Sequence, residues 1–358
     1  MSAPITSRPS GFGEFLGLSR EIGRDILKTQ GAGGNTSLKQ DSTMWVKASG
    51  TWLSQAEDKD IMVPVSVAPL VDALRAGDPR AEKATDFVVD ALNGSGLRPS
   101  IETSFHAVLP SAVVAHYHCV NTIAHAVLEN RDVIIAERLA EVPDLTWKIV
   151  PYRRPGVPLA LEIEQVAADA PDILILHNHG IIVCGETVEQ VAERVARVTT
   201  ALEITPRKAA APDLAVLSAL AEGTDFQPAA DLASHAPALD PVSLRFALGG
   251  SLYPDHVIFL GTKIGLLEDG QALADLTASF QRSGEPMPKM VFVPGKGVLL
   301  STALTPGGEA MARCLAEVVA RIPEGETVAY LDAAQEHELT HWEAEQYRQA
   351  LDRKVAGR

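Results

Sequence analysis

Two short apolar runs, each ending in histidine, constrain this chain more than any other feature. Residues 112–115 lead into His116-Tyr117-His118. Residues 172–176, with their Ile-Leu-Ile-Leu core, lead into His177-Asn178-His179-Gly180. Both runs are strand-sized and far short of the ~20 apolar residues that cross a bilayer. The second reads as a strongly buried strand, and residues 180–184 follow closely enough to be its hairpin partner. A chain with such strands buries a sheet, and the histidines mark where the strands end.

Other elements fall around them. Residues 14–29 read as an amphipathic helix that runs into Gly31-Ala32-Gly33-Gly34-Asn35-Thr36-Ser37, a loop no helix tolerates. Strands at 37–39 and 44–47 form a hairpin. Helices are expected at 65–76 and 81–93. A further helix at 100–109 has Ser100 as its N-cap. Short helices at 121–127 and 134–139, a strand at 148–150 and a helix at 158–168 precede the buried pair, and a long helix at 187–204 follows it. Residues 206–212 and 227–241 are rich in Ala, Pro and Asp. The expected organisation is therefore a domain at 10–208, a linker at 209–240 and a smaller α+β domain at 241–358. The last has strands at 257–260, 263–267, 290–293 and 297–301, and helices at 307–321 and 333–354.

Composition narrows the function. Apolar residues make up 46% and charged residues 22%, the balance of a soluble globular protein. The formal net charge of -15 argues against nonspecific binding to nucleic acid or anionic lipid, which needs clustered Lys and Arg. An anionic substrate must then be met by local donors and a metal. The three cysteines, Cys119, Cys184 and Cys314, form no CxxC pair, so no disulfide framework is expected and a cytoplasmic location fits. No basic segment followed by an apolar run occurs in residues 1–20, so no signal peptide is expected.

The chemistry concentrates between residues 31 and 179. In a strand, side chains alternate, so His116 and His118 share a face and both reach one metal ion. His179, or else His177, adds a third nitrogen from the neighbouring strand; the tight turn at Gly180 favours His179. Three protein ligands leave a position open for substrate or water, the catalytic arrangement. The Gly-rich loop offers clustered N–H groups, and Ser49-Gly50 and Ser100 add hydroxyl and turn donors for an anion. The loop matches neither GxGxxG nor a P-loop. Glu102, read in the first turn of the helix at 100–109, becomes a general base if that helix start lies near the metal.

Gly34-Asn35-Thr36-Ser37, Lys47-Ala48-Ser49-Gly50, Pro99-Ser100-Ile101-Glu102, His116-Tyr117-His118 and Asn178-His179-Gly180 occur in an order that resembles the class II aldolase/adducin family over residues 10–210. The resemblance implies an α/β/α layered domain on a mainly antiparallel central sheet. It implies zinc, or another divalent ion, on His116, His118 and His179, and Glu102 as catalytic acid/base. It implies Asn35, Thr36, Ser49, Gly50 and Ser100 around a substrate phosphate, and a homo-oligomer, a tetramer in the family. Ile101 stands where some sugar-phosphate aldolases carry a second serine. The later segments Tyr253-Pro254-Asp255-His256-Val257, Val293-Pro294-Gly295-Lys296-Gly297 and Trp342-Glu343-Ala344-Glu345 resemble the extension that follows the aldolase part of rhamnulose-phosphate aldolase/dehydrogenase fusions. No Rossmann fingerprint follows them.

The expected activity is retro-aldol cleavage of a small ketose phosphate through a metal-stabilised enediolate. Decarboxylation, epimerisation or dehydration of a small sugar acid or sugar phosphate uses the same site. A non-catalytic adducin-like scaffold is the reading from another class; it predicts degraded ligands and a basic tail, and this chain has neither.

Overall fold

The computed structural model describes residues 8–341. Residues 1–7, the segment Trp342-Glu343-Ala344-Glu345 and the rest of the helix expected to reach 354 lie outside the described residues. The chain divides into two units. One runs to Thr122 and resumes over Asp132–Leu202; the other takes Ile123–Arg131 and everything described from Glu203 onward. Among the described residues, no helix is long and apolar enough to cross a membrane.

The first unit opens with α1 (Phe12–Arg24), β1 (Asn35–Gln40), β2 (Thr43–Lys47), β3 (Met62–Ser66), α2 (Val67–Arg75), α3 (Thr103–Val108) and β4 (Val113–Tyr117). α4 (Val120–Ala126) passes into the second unit at Ile123, and α5 (Arg131–Leu139) returns the chain to the first at Asp132, where β5 (Trp147–Val150), α6 (Val157–Ala167), β6 (Ile173–Leu176), β7 (Gly180–Gly185) and α7 (Val188–Ala201) follow. The seven strands lie in the order β3-β2-β1-β4-β7-β6-β5. All neighbours are antiparallel except β5 and β6.

Alternation explains the layers. Val114, Leu174, Leu176, Ile182 and Cys184 point to one face and pack with α2, α3 and α6. The opposite residues, such as Ala115 and Tyr117, face the side covered by α1 and α7. α1 presents Phe12, Phe15, Leu18 and Ile22 as one buried stripe, and α7 does the same with Val191, Val195 and Val198. Strands covered on both faces need apolar residues at every position, which is why 173–176 carries no alternation. The unit is thus the α/β/α layered domain with a mainly antiparallel sheet.

The sequence expectations fail locally for identifiable reasons. Residues 81–93 form three 3-10 turns, Pro79–Glu82, Thr85–Phe87 and Asp90–Leu92, instead of a helix. Ala84 sits at φ 53 between the first two and breaks any continuous helix. Val65 and Ser66, expected to open the helix at 65–76, belong instead to β3, whose Pro64 argues against a strand in the sequence; as the sheet's edge strand it tolerates a missing N–H.

The second unit contains α8 (Leu214–Ala221), β8 (Phe226–Pro228), α9 (Ala236–Leu239), α10 (Pro241–Leu248), β9 (Gly265–Leu266), α11 (Leu273–Ser283), β10 (Met290–Val293), β11 (Gly297–Ser301), α12 (Pro306–Val319) and α13 (Ala333–Thr340). Its four strands run β8-β11-β10-β9. The segment 209–240 is therefore not a free linker. β8 pairs with β11, and Leu217 and Phe226 are buried with Val291 and Leu299. The Asp residues that read as linker are helix caps: Asp213, Asp231 and Asp240 accept from the N–H groups of Val216, Ala233 and Ser243. Residues 257–260, expected as a strand, belong to a π-helical turn, His256–Leu260, whose side chains are all buried. An apolar run this short has no period that separates the two conformations.

The carboxyl end of β4 is where the sheet meets the histidines, and two glycines let its neighbours close on it. A Cβ on Gly34 (φ 62) would lie 2.9 Å from the His116 carbonyl oxygen, and one on Gly180 would lie 2.6 Å from the Tyr117 carbonyl oxygen. Gly180→Ala must push backbone against backbone and is expected to cost about 1–3 kcal/mol. Thermal unfolding reads this as a Tm lowered by roughly 2–10 °C. Gly13→Ala, in α1 with open space around the added methyl, should leave Tm unchanged or raise it, because Ala is about 1 kcal/mol better in a helix. Equal behaviour of the two variants contradicts the close-approach account.

Candidate metal centre

His116 is the fourth residue of β4 and points to the α3 side, where Phe105 meets its ring edge-on at 5.4 Å. Tyr117 alternates to the other face. His118 lies just past the strand end. His179 comes from the three-residue turn between β6 and β7, where Leu176 pairs with Gly180. Asn178 holds that turn in the left-handed region at φ 51, a conformation Asn tolerates better than most residues. His177 goes elsewhere: its Nε2 lies 2.8 Å from Asp132 Oδ1 of α5.

The three imidazoles form a nearly equilateral cluster. Ring centroids are 5.0 Å apart for His116 and His118, 4.9 Å for His116 and His179, and 5.1 Å for His118 and His179. One nitrogen from each lies within 4.8 Å of the others. His116 Nδ1–H donates to the Ile181 carbonyl at 3.0 Å, which leaves the Nε2 lone pair aimed inward. That Nε2 is 3.2 Å from His118 Nε2. Two nitrogens each ~2.1 Å from a tetrahedral zinc lie about 3.4 Å apart, so the pair fits a shared cation. Burial, followed by the neighbouring His179 and His118, drives the His116 pKa well below its ordinary value. The ring is therefore neutral, the form that ligates.

Glu102 faces this cluster. Its Oε2 is 3.6 Å from His116 Nε2 and its Oε1 is 3.5 Å from His179 Nε2. It is 6% exposed, so water competes little for it. The helix starts later than the sequence suggested, at Thr103, with Glu102 at the N-cap. Ser100 precedes it in a turn: its backbone N–H is held by the Lys47 carbonyl, and its Oγ accepts from Glu102 N–H at 3.2 Å. The Glu102 side chain makes no capping bond and is turned to the imidazoles.

Asn35 fixes that carboxylate. Its Nδ2 donates to Glu102 Oε2 at 2.7 Å and to Ser100 Oγ at 3.1 Å. Its Oδ1 accepts from His106 Nε2–H, and His106 Nδ1 accepts from Ser37 Oγ at 2.8 Å. An amide oxygen only accepts, so this chain sets both the His106 tautomer and the Asn35 amide orientation. His106 had no role in the sequence reading. Its signal was position, four residues beyond Glu102 on the same helix.

The anion-binding candidates divide. Ala48 bridges Pro99, and Ser49 N–H donates to the Arg98 carbonyl, which places Ser49 and Ser100 on one side of the pairing, with Gly50 in the adjoining turn at φ 73. Ser49 Oγ is buried without a protein partner. Ser100 Oγ accepts two bonds, which leaves its hydroxyl hydrogen to donate. Thr36 does not join them. It follows Asn35 in β1, so alternation turns it to the opposite face, where it is hydrogen-bonded to Ser19 of α1 at 2.7 Å. Lys47 is buried in β2. Its Nζ donates to Ala32 O at 2.8 Å and Thr51 O at 2.7 Å, tying the Gly-rich loop to the Ser49-Gly50 turn.

The profile of the Class II Aldolase and Adducin N-terminal domain matches residues 15–205. A Bacillus subtilis (strain 168) protein described as an uncharacterized oxidoreductase, YuxG, is 30% identical over 195 residues, 51% of this chain and 27% of that protein. The 3-oxo-tetronate 4-phosphate decarboxylase of Escherichia coli (strain K12) is 34% identical over 116 residues, 28% of this chain and 52% of that enzyme. The matches thus span about half or less of these curated relatives. Among solved structures, the N-terminal class II aldolase domain of a conserved Thermoplasma acidophilum protein is 25% identical. That match covers 56% of this chain and 97% of that one, with a TM-score of 0.46. An L-fuculose 1-phosphate aldolase is 16% identical, over 56% and 86% respectively, with a TM-score of 0.39.

Burial holds His106 neutral, as it does His116, with pKa values well below the ordinary one. In the unfolded chain both protonate near pH 6.5. The unfolded state then binds more protons, so stability is full above that pH and falls as the pH drops below it. Urea midpoints of chelator-treated protein should decline from about pH 7.5 to about pH 5, and less steeply in His106→Gln. An identical decline in the variant contradicts a neutral, buried His106.

Proposed function

The chain belongs to the class II aldolase and adducin family, and from that premise we propose that it is a metal-dependent lyase that cleaves a carbon–carbon bond of a small phosphorylated sugar. The reading is retro-aldol cleavage of a ketose phosphate, with zinc or a similar divalent cation held by His116, His118 and His179. The observation that carries it is the Glu102 carboxylate, within 3.6 Å of two of the imidazoles and fixed by Asn35. A metal triad alone is compatible with many roles; a desolvated, oriented carboxylate beside it adds a proton acceptor.

When bound, the cation supplies Lewis-acid stabilisation of the negative charge that develops on substrate oxygen as the carbon–carbon bond breaks. In cleavage the hydroxyl on the carbon that becomes the aldehyde gives up its proton to the Glu102 carboxylate, the carbon–carbon bond pair stays on the other fragment, and Glu102 returns the proton to that fragment's carbon; condensation runs the same transfers in reverse. The Asn35 amide holds Oε2, so the carboxylate needs no reorganisation during the transfer. Ser49, Gly50 and Ser100 receive the substrate's anionic group; Asn35, expected among them, has both amide hydrogens committed to Glu102 and Ser100. Binding there, away from the reacting bond, positions that bond over Glu102. Ile101 contributes no hydroxyl, so the anion rests on fewer donors than a double-serine turn provides.

A second reading is decarboxylation of a phosphorylated 3-oxo acid, favoured by the 34% identity to the decarboxylase. There carbon dioxide leaves in place of an aldehyde, and Glu102 protonates the carbon left behind. Product identity separates the two: an aldehyde with dihydroxyacetone phosphate marks the aldolase, and carbon dioxide the decarboxylase. In either case Glu102→Gln should keep the site's shape while lowering turnover by roughly 10²–10⁴-fold. Unchanged turnover in that variant would rule out the assigned role.

A further inference from the structure

The second unit carries histidines that this chemistry does not use. All ten histidines of the chain are among the described residues, and eight are buried. The two exposed ones lie side by side at the end of α13, His337 in its last turn and His341 as its C-cap. Positions i and i+4 share a helix face. Here the two Nδ1 atoms come within 3.1 Å and the ring centroids within 3.9 Å, with the planes at 81°. His341 Nδ1–H donates to the His337 carbonyl oxygen at 3.0 Å, with Thr340 Oγ1 also at 3.0 Å, so a cation held by the two Nδ1 atoms requires the His341 ring to carry its hydrogen on Nε2 instead.

We propose that His337 and His341 form a second, solvent-facing site for a late first-row divalent cation, Cu²⁺, Ni²⁺ or Zn²⁺. Two nitrogens bound at ~2.0–2.1 Å to one such ion lie about 2.9–3.4 Å apart, and the pair already has that spacing. The platform is rigid. Asp332 and Gln335 close a capping box at the helix start, Leu339 is buried, and Glu336 accepts a 2.6 Å bond from Ser251. The ion sits at the last turn, where the helix dipole favours positive charge.

His337-Glu338-Leu339-Thr340-His341 also has the His-Glu-x-x-His spacing of zinc-binding helices. In zinc peptidases a third protein ligand completes the site. Among the described residues, no third His, Cys, Asp or Glu joins this pair, and Glu338 is exposed. The structure assigns cation binding with open positions for water, and no hydrolysis.

Exposed, adjacent imidazoles can share a resin-bound ion, which the buried triad cannot do. The untagged full chain should be retained on immobilised Ni²⁺, His341→Ala should elute at lower imidazole, and the double variant H337A/H341A should flow through. Retention of the double variant equal to the parent, or passage of the parent unretained, overturns the proposal. Calorimetric titration of chelator-treated protein separates the two sites. H337A/H341A should lose a weaker step that is tightest for Cu²⁺ and keep the tight one. Failure of the triad reading removes the tight step from the parent and leaves the weaker one; an identical set of steps in parent and double variant contradicts the surface site.

Discussion

Three imidazoles and a carboxylate share a volume almost closed to water at the end of β4, and the local structure is arranged to make that burial tolerable. His116 is fully buried, and His118, His179 and Glu102 are 4–6% exposed. A buried polar group left unbonded costs kilocalories, and a buried unpaired charge costs more. The imidazole side is relieved by neutrality: His116 gives its one N–H to the Ile181 carbonyl. The carboxylate side is relieved by Asn35, which is itself held by His106. A cation at the nitrogens complements the remaining negative charge. The two glycines beside β4 serve the same end, because they let β7 and the loop before β1 approach without a side chain between them.

How much of this could be read from the sequence depended on whether strand phase was visible. Along β4 it was: an apolar run continuing into His-Tyr-His places His116 and His118 together and turns Tyr117 away. At the next strand it was ambiguous, since His177 and His179 share a phase. The choice is made by the turn, with Asn178 in the left-handed region, and by Asp132, which engages His177. In the Gly-rich loop the phase was hidden, because a strand begins inside it at Asn35. Adjacent residues of a strand cannot face the same ligand, so Asn35 and Thr36 part company.

The missed residues share a different cause. His106 acts through Asn35, 71 residues away, and Lys47 through the carbonyls of Ala32, 15 residues back, and Thr51, across the adjoining turn. Beyond the spacing of His106 from Glu102, their own sequence surroundings are those of an ordinary helix histidine and strand lysine. The segment 209–240 misled because Asp and Pro serve equally as linker residues and as caps and first-turn residues of short helices. The buried Leu217, Ala221 and Phe226 place the segment in a core. The family-level fold survives these local errors because it rests on the covered strands and the two amphipathic helices, which are long enough to show their period.

The central claim is that His116, His118 and His179 hold one divalent cation within reach of Glu102. Anomalous diffraction from zinc-loaded crystals of the full chain, collected on both sides of the zinc absorption edge, tests it most directly. The account predicts an edge-dependent peak among the three ring nitrogens, with the Glu102 carboxylate beside it. No peak at that position after zinc loading, or one seated instead on His177 and Asp132, would contradict it.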